Sequence, residues 1–258
     1  MSALLLVHAH PDDECIATGG VMLRAHLDGH RVVLVTATAG EEGEIHNMDE
    51  AWVRPGLAAV RAEELRRACE ILGVDRQVFL GYRDSGMAGT PANADPSCFH
   101  AAPLAEAADR LAAILREERP AVVVTYTADG TYGHPDHIKA HHVTLAAVDG
   151  LDGERPRVYL HAVPRGLLEA ARMAGIEVPD IPGVPDEEIT TEVDVSDLVD
   201  RKLAALTAHL SQMDPNGAFA SMGEDVFRVA FGVERFVLAR GDPPAGRPEP
   251  SLFAGGRV

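Results

Sequence analysis

The chain has 258 residues, of which 46% are hydrophobic and 24% charged, and 40 Asp+Glu against 23 Lys+Arg give a formal net charge of −17. That balance argues against non-specific nucleic-acid binding, which depends on neutralising phosphates, and against docking on anionic membranes. No run approaches the roughly 18 apolar residues of a membrane span, Met1–Val7 lacks the basic and apolar regions of a signal peptide, and three cysteines (Cys15, Cys69, Cys98) without a CxxC pair predict a reducing, cytoplasmic setting.

Ala3–His8 is a short apolar run ending in a polar loop, as in a buried parallel strand. Cys15–Asp28 follows as a helix, with Gly29 as its stop signal. Arg31–Thr38 is Val-rich and reads as a second strand. Gly40–Gly56 is a long acidic connection. Leu57, Val60, Leu65, Ala68, Ile71 and Leu72 then recur at helical spacing before Gly73. Gln77–Leu80 is a third strand and Gly81–His100 is irregular. Leu104, Ala108, Leu111, Ile114 and Leu115 mark a helix, and Pro120 separates it from a strand over Ala121–Tyr126. His137–Val148 reads as a helix and Arg157–Ala162 as a strand. This alternation predicts an α/β fold: a Rossmann-like open, mostly parallel sheet with helices on both faces.

After residue 163 the patterning thins. Ile189, Thr191, Val193 and Val195 alternate like a strand, and Ser196 is placed to cap a helix over Asp197–Gln212. Gly241–Val258 holds four Pro and four Gly, the composition of a loose tail or surface strap. With no internal repeat and no linker in view, the expectation is one domain: an α/β core over 1–163, a C-terminal part over 164–240 packed on it, and a tail over 241–258.

Ligands of open α/β sheets bind at the carboxyl ends of the strands. Two such ends carry histidine/carboxylate clusters: His8-Ala9-His10-Pro11-Asp12-Asp13-Glu14 after the first strand, and Tyr132-Gly133-His134-Pro135-Asp136-His137 after the fourth. Pro135 suits the first position of a helix. Neither cluster alone completes a metal site, but together they do. Imidazole and carboxylate suit zinc, one ion per chain, and another divalent ion such as Fe2+ suits the same donors. His10, Asp13 and His137 are the expected ligands, leaving a vacant position for water, whose pKa zinc lowers to about 7. Asp12 then points differently and is placed to accept the water proton and deliver it to a leaving amine. His134, one turn before His137, is placed to polarise or protonate a substrate, with Asp136 orienting His134. Tyr132 is placed to donate to an oxyanion. His137 and His141 have the i,i+4 spacing of a helical zinc pair, but Ile138 stands where that motif has Glu.

His10-Pro11-Asp12-Asp13-Glu14 with His134-Pro135-Asp136-His137 resembles the PIG-L/LmbE-like zinc-dependent N-deacetylase family. The likeness extends over Ala3–Leu145, including Glu41-Glu42-Gly43-Glu44 and Arg83-Asp84-Ser85-Gly86-Met87, and continues at His209–Gly217. Within the family the chain is similar to two mycothiol enzymes, the deacetylase of N-acetylglucosaminyl-inositol and the mycothiol S-conjugate amidase. The Arg83–Met87 stretch looks like the first and Gln212–Gly217 like the second, so that choice stays open here. The resemblance implies zinc on His10, Asp13 and His137, Asp12 as general base, His134 and Tyr132 at the oxyanion, and Glu44, Arg61 and Asp84 at the sugar or its polar substituent. The implied partner is a small aminosugar conjugate, whose N-acyl group is hydrolysed; oligomeric state is not readable. The rivals are a metal-dependent phosphoesterase and a non-catalytic sugar-binding protein. Only one full ligand set is visible for the first, and the motifs are intact against the second.

Overall fold

The computed structural model describes residues 2–175, 178, 180–217, 224–243 and 246–254. Strands and helices alternate through the first part: β1 (Ala3–His8), α1 (Asp13–Leu27), β2 (Arg31–Thr38), α2 (Glu50–Val53), α3 (Leu57–Leu72), β3 (Arg76–Tyr82), α4 (Leu104–Glu118), β4 (Val122–Tyr126), α5 (Gly130–Gly133), α6 (Pro135–Asp149) and β5 (Arg157–His161). Then come α7 (Arg165–Met173), β6 (Thr191–Asp194), α8 (Val199–Thr207), α9 (Glu224–Phe231) and β7 (Val233–Arg240). No helix among the described residues is long and apolar enough to cross a membrane.

The strands form one sheet in the order β3-β2-β1-β4-β5-β7-β6. The first five pair in parallel, while β7 runs antiparallel to both β5 and β6. Every residue of β1 and β4 is buried, because both faces are covered. The period of two along β1 sends Leu4 and Leu6 to one face, with Val32, Leu34 and apolar residues of α1, α3 and α8. It sends Leu5 and Val7 to the other, with Val33, Val35 and residues of α4 and α6. Each such side chain contributes about 1.5–3 kcal/mol on leaving water. Strand order runs from β1 through β2 to β3 on one side and from β4 to β5 on the other. The crevice of such a sheet opens where these directions diverge, beyond the ends of β1 and β4.

The C-terminal part departs from the sequence reading. The helix expected over Asp197–Gln212 is a 3-10 turn (Ser196–Leu198), the shorter α8, and a second turn at Leu210–Gln212. Ser196 does not cap it; its own amide donates to Asp194 Oδ1 at 2.9 Å. α7, α9 and β7 are additional elements, and β7 inserts between β5 and the strand expected near Thr191. The Pro/Gly-rich segment is a strap where described. Glu249 bridges to Thr191, the Glu249 amide donates to the Thr190 carbonyl at 2.8 Å, and Phe253 stacks on His30 at 3.9 Å. Residues 244–245 and 255–258 of that segment lie outside the described residues.

Candidate active site

α1 starts two residues earlier than its apolar pattern suggests, so Asp13 and Glu14 occupy its first turn, where the helix dipole favours negative charge. β1 ends at His8, the loop between them presents His10 and Asp12, and the first residue of α1 presents Asp13. α6 begins with Pro135 at its first position, and one turn in it carries His137. The crevice brings these segments together. His10 Nδ1 lies 3.3 Å from His137 Nε2 and 3.4 Å from Asp13 Oδ2, and His137 Nε2 lies 3.4 Å from Asp13 Oδ1. A tetrahedral ion with bonds of about 2.0–2.1 Å has ligand–ligand edges of about 3.3–3.4 Å. Two imidazoles and one carboxylate at those separations, nearly out of solvent, fit a divalent cation. Burial opposes charge on His10, but hydrogen bonds to Asp13, Asp136 and Asp84 outweigh it and raise its pKa well above the usual value. Burial would raise Asp13, yet His137 and His10 hold it well below the usual carboxylate range.

Each donor is held from behind. The Tyr126 hydroxyl, at the end of β4, donates to Asp13 Oδ2 at 2.8 Å and accepts the Ala9 amide at 2.8 Å. The His10 amide also donates to Asp13 Oδ2, at 2.9 Å. His8 is fully buried behind this point, with Nδ1 3.1 Å from the Tyr126 hydroxyl and Nε2 2.9 Å from Thr18 Oγ1. His137 stacks on the Tyr126 ring at 4.2 Å, and its Nδ1 has no hydrogen-bond partner among the described residues. His141 does not join the cluster; its Nδ1 donates to the Tyr126 carbonyl at 2.8 Å and ties α6 to β4.

Asp136 orients His134 through its backbone and has a further task in its side chain. Its backbone amide donates to His134 Nδ1 at 3.1 Å, which makes His134 the cap of α6. Its carboxylate accepts from His10 Nε2 at 3.3 Å, from the Ser85 amide at 3.0 Å and from the Ser85 hydroxyl. The Asp136 carboxylate therefore orients His10, while its amide orients His134. With Nδ1 accepting, the neutral His134 ring carries its proton on Nε2. Burial, then His10 and His137, push its pKa down to about 4, so it is a neutral donor near pH 7. Tyr132 sits half-exposed beside it, with Oη 3.4 Å from His137 Nε2. Partial burial, then Asp13 and Asp12, push its phenol pKa up and keep it protonated.

Asp12 has φ 108°, a conformation L-residues rarely adopt. This turns its carboxylate away from the Asp13 side of the cluster, toward the Arg61 guanidinium at 3.1 Å. Burial raises the Asp12 pKa to about 6 against the opposing effect of Arg61. Arg61, from α3, is itself buried and also donates to the carbonyls of Pro11 and Gly40. Asp84 is buried, 3.5 Å from His10 Nε2, and accepts the Gly86 amide at 2.8 Å. Of the three residues expected at a sugar, only Glu44 presents an exposed carboxylate, 3.3 Å from His46 Nε2. Arg61 and Asp84 reach the site through Asp12 and His10. The sequence reading gave no role to Tyr126, Ser85, Glu14 or His209, although Ser85, Glu14 and His209 stand in the segments that carry the family resemblance and Tyr126 closes the fourth strand.

The model of the family described as PIG-L: GlcNAc-PI de-N-acetylase matches residues 5–148. The 1D-myo-inositol 2-acetamido-2-deoxy-alpha-D-glucopyranoside deacetylase of Acidothermus cellulolyticus is 47% identical, covering 98% of this chain and 94% of its own. The protein of the same name from Thermobifida fusca is 44% identical, covering 97% and 98%. Among solved structures, the N,N'-diacetylchitobiose deacetylase of Pyrococcus horikoshii superposes with a TM-score of 0.66 at 22% identity, covering 92% of this chain and 83% of that one.

Proposed function

The chain belongs to the PIG-L family of GlcNAc-PI de-N-acetylases, and from that premise we propose that it hydrolyses the acetamide of N-acetylglucosaminyl-inositol to acetate and the free aminosugar. It is an N-deacetylase, an amide hydrolase of aminosugar conjugates. The names of its relatives support this substrate over the S-conjugates that the sequence left open. The observation that carries the reading is the triangle of His10 Nδ1, Asp13 and His137 Nε2 at 3.3–3.4 Å, with Asp12 on its flank.

His10, Asp13 and His137 hold the ion, which we take to be zinc. When bound, zinc polarises the amide carbonyl and makes water a competent nucleophile near neutral pH. The protein's own groups do the rest. Asp12 accepts the proton of the attacking water, and Arg61 keeps its carboxylate aimed and ionised. His134 Nε2–H and the Tyr132 hydroxyl donate to the oxygen that becomes negative as the carbonyl turns tetrahedral. Asp12 then returns its proton to the departing amine. Tyr126 and Asp136 hold Asp13 and His10 in place. Glu44, an exposed carboxylate, is assigned to the sugar or inositol hydroxyls, with Asp84 beside His10 and Arg61 beside Asp12 as further candidates for contact.

The test is direct. Protein stripped with chelator and reloaded with zinc is given N-acetylglucosaminyl-inositol or a mycothiol S-conjugate, and the released amine is measured. Faster release from the acetamide, lost on stripping and restored by zinc, is expected. Preference for the S-conjugate, or turnover indifferent to the chelator, overturns the assignment.

A further inference from the structure

Glu14 is the acidic residue of the first motif that the mechanism above leaves idle. It is fully buried, and an isolated buried carboxylate is strongly unfavourable. Three groups facing it donate. Its Oε2 accepts the Asp12 amide at 2.9 Å, and its Oε1 accepts His209 Nε2 at 2.7 Å and the Cys15 thiol at 3.0 Å. These are hydrogen-bond distances, so Glu14, Cys15 and His209 form a hydrogen-bonded cluster.

His209 is also fully buried and reaches Glu14 from 195 residues along the chain. Its segment is pinned to α3. The amide and hydroxyl of Ser211 donate to the two carboxylate oxygens of Glu64 at 2.7 and 2.6 Å. α3 also supplies Arg61, which grips Asp12 through its side chain and through the Pro11 carbonyl. Asp12 is thus held from two sides. A non-glycine residue at positive φ carries backbone strain and persists only when its surroundings over-determine it. Glu14 grips the peptide that carries that strain.

We propose that Glu14 and His209 are positioning residues for the deacetylation. Glu14 locks the Asp12 peptide so that its carboxylate faces the attacking water, and His209 locks Glu14. Only an acceptor at both oxygens serves, because both sides of Glu14 meet donors; a glutamine amide turns an N–H against one of them. This inference rests on the reading of Asp12 as general base.

The experiment is a double-mutant cycle on the zinc-loaded full chain with N-acetylglucosaminyl-inositol. Wild type must turn over and Asp12→Ala must not approach it; failure there refutes the base assignment itself and is read first. Given both, Glu14→Gln and His209→Leu should lower kcat about 10- to 100-fold, as for a misplacement of about 1 Å. KM and zinc stoichiometry should hold. On the Asp12→Ala background the same changes should alter the residual rate less than about twofold, since the group they position is gone. His209→Gln, whose amide nitrogen takes the place of Nε2, should recover most of the loss, and it keeps the test alive should His209→Leu not fold. Unchanged kcat, loss of zinc, or an equal fall on the Asp12→Ala background overturns the proposal.

Discussion

The Tyr126 hydroxyl sits 2.8 Å from Asp13 Oδ2 and 2.8 Å from the Ala9 amide, joining the end of β4 to the loop after β1. One oxygen thus orients a ligand carboxylate and satisfies a buried amide. Tyr126→Phe keeps the ring that stacks on His137 and removes only this oxygen. Zinc affinity should fall about 10- to 100-fold, the usual effect of deleting a partner behind a ligand. An unpaired Ala9 amide should lower stability by about 1–3 kcal/mol. Chelator competition and thermal unfolding read the two effects. Wild-type affinity in the variant would show that Asp13 needs no such support.

Asp12 and His137 lie in one pocket and should fail differently. Asp12→Ala should bind one zinc per chain and lose about 10²- to 10⁴-fold in kcat, the range for a general base. His137→Ala should lose zinc itself. Asp136→Asn should resemble a weakened ligand, because the Asp136 carboxylate sets the tautomer of His10 through Nε2. Metal analysis beside kinetics separates the three. An Asp136→Asn enzyme with full affinity and a damaged His134 function would assign the carboxylate to His134 instead.

That second task of Asp136 shows where sequence reasoning ends. β1, β2 and β4 were legible because strands covered on both faces are written as apolar runs, as in Leu4-Leu5-Leu6-Val7 and Val122-Val123-Val124. β7 was not, since Val233–Arg240 mixes Glu234 and Arg235 with its apolar residues and is only partly buried. Its place between β5 and β6 depends on pairing with chain about 80 residues earlier and about 40 residues earlier, which no local pattern carries. The candidate metal ligands were visible because two ligand types, imidazole and carboxylate, cluster at two strand ends. Asp136 lies beside His134 in sequence, but capping takes up His134 with the backbone and turns the carboxylate toward His10. Glu14 looked like an ordinary acid in a first helical turn; only the approach of His209 gives it a task.

Burial pushes the pKa of His8 down to about 4, with Asp13 and Glu14 opposing. The unfolded value is about 6.5. Between the two the unfolded chain binds more protons, so stability is full above about 6.5 and falls as pH drops toward 4. The loss from His8 alone approaches about 3 kcal/mol. Thermal unfolding of chelator-treated protein from pH 7.5 to 4.5 should show this decline, and His8→Gln should make it shallower, the shares of buried His134 and His161 remaining. An equal slope in both proteins would assign the acid sensitivity to other groups.

Lys202 on α8 meets Glu234 on β7 at 2.6 Å, and both side chains are almost wholly buried. Glu234 also accepts the amides of Gly20 and Val21 at 2.7 and 2.8 Å, so the pair ties the C-terminal elements to the middle of α1. A Cβ on Gly20 would stand 2.5 Å from Val195 Cγ2, so the absent side chain is what lets α1 lie this close. Lys202→Met removes the charge and keeps most of the volume. It leaves Glu234 as a buried anion with two amide donors, and breaking such a pair costs about 3–5 kcal/mol. At about 2–4 °C per kcal/mol for a chain of this size, the midpoint should drop by roughly 6–20 °C. Adding Glu234→Gln removes the stranded charge and should return part of that loss, although only one of the Gly20 and Val21 amides then keeps an acceptor oxygen. If Lys202→Met unfolds at the wild-type temperature, the ion pair is not what fastens β7 and α8 to α1, and the apolar contacts of Val195, Val199 and Phe236 suffice.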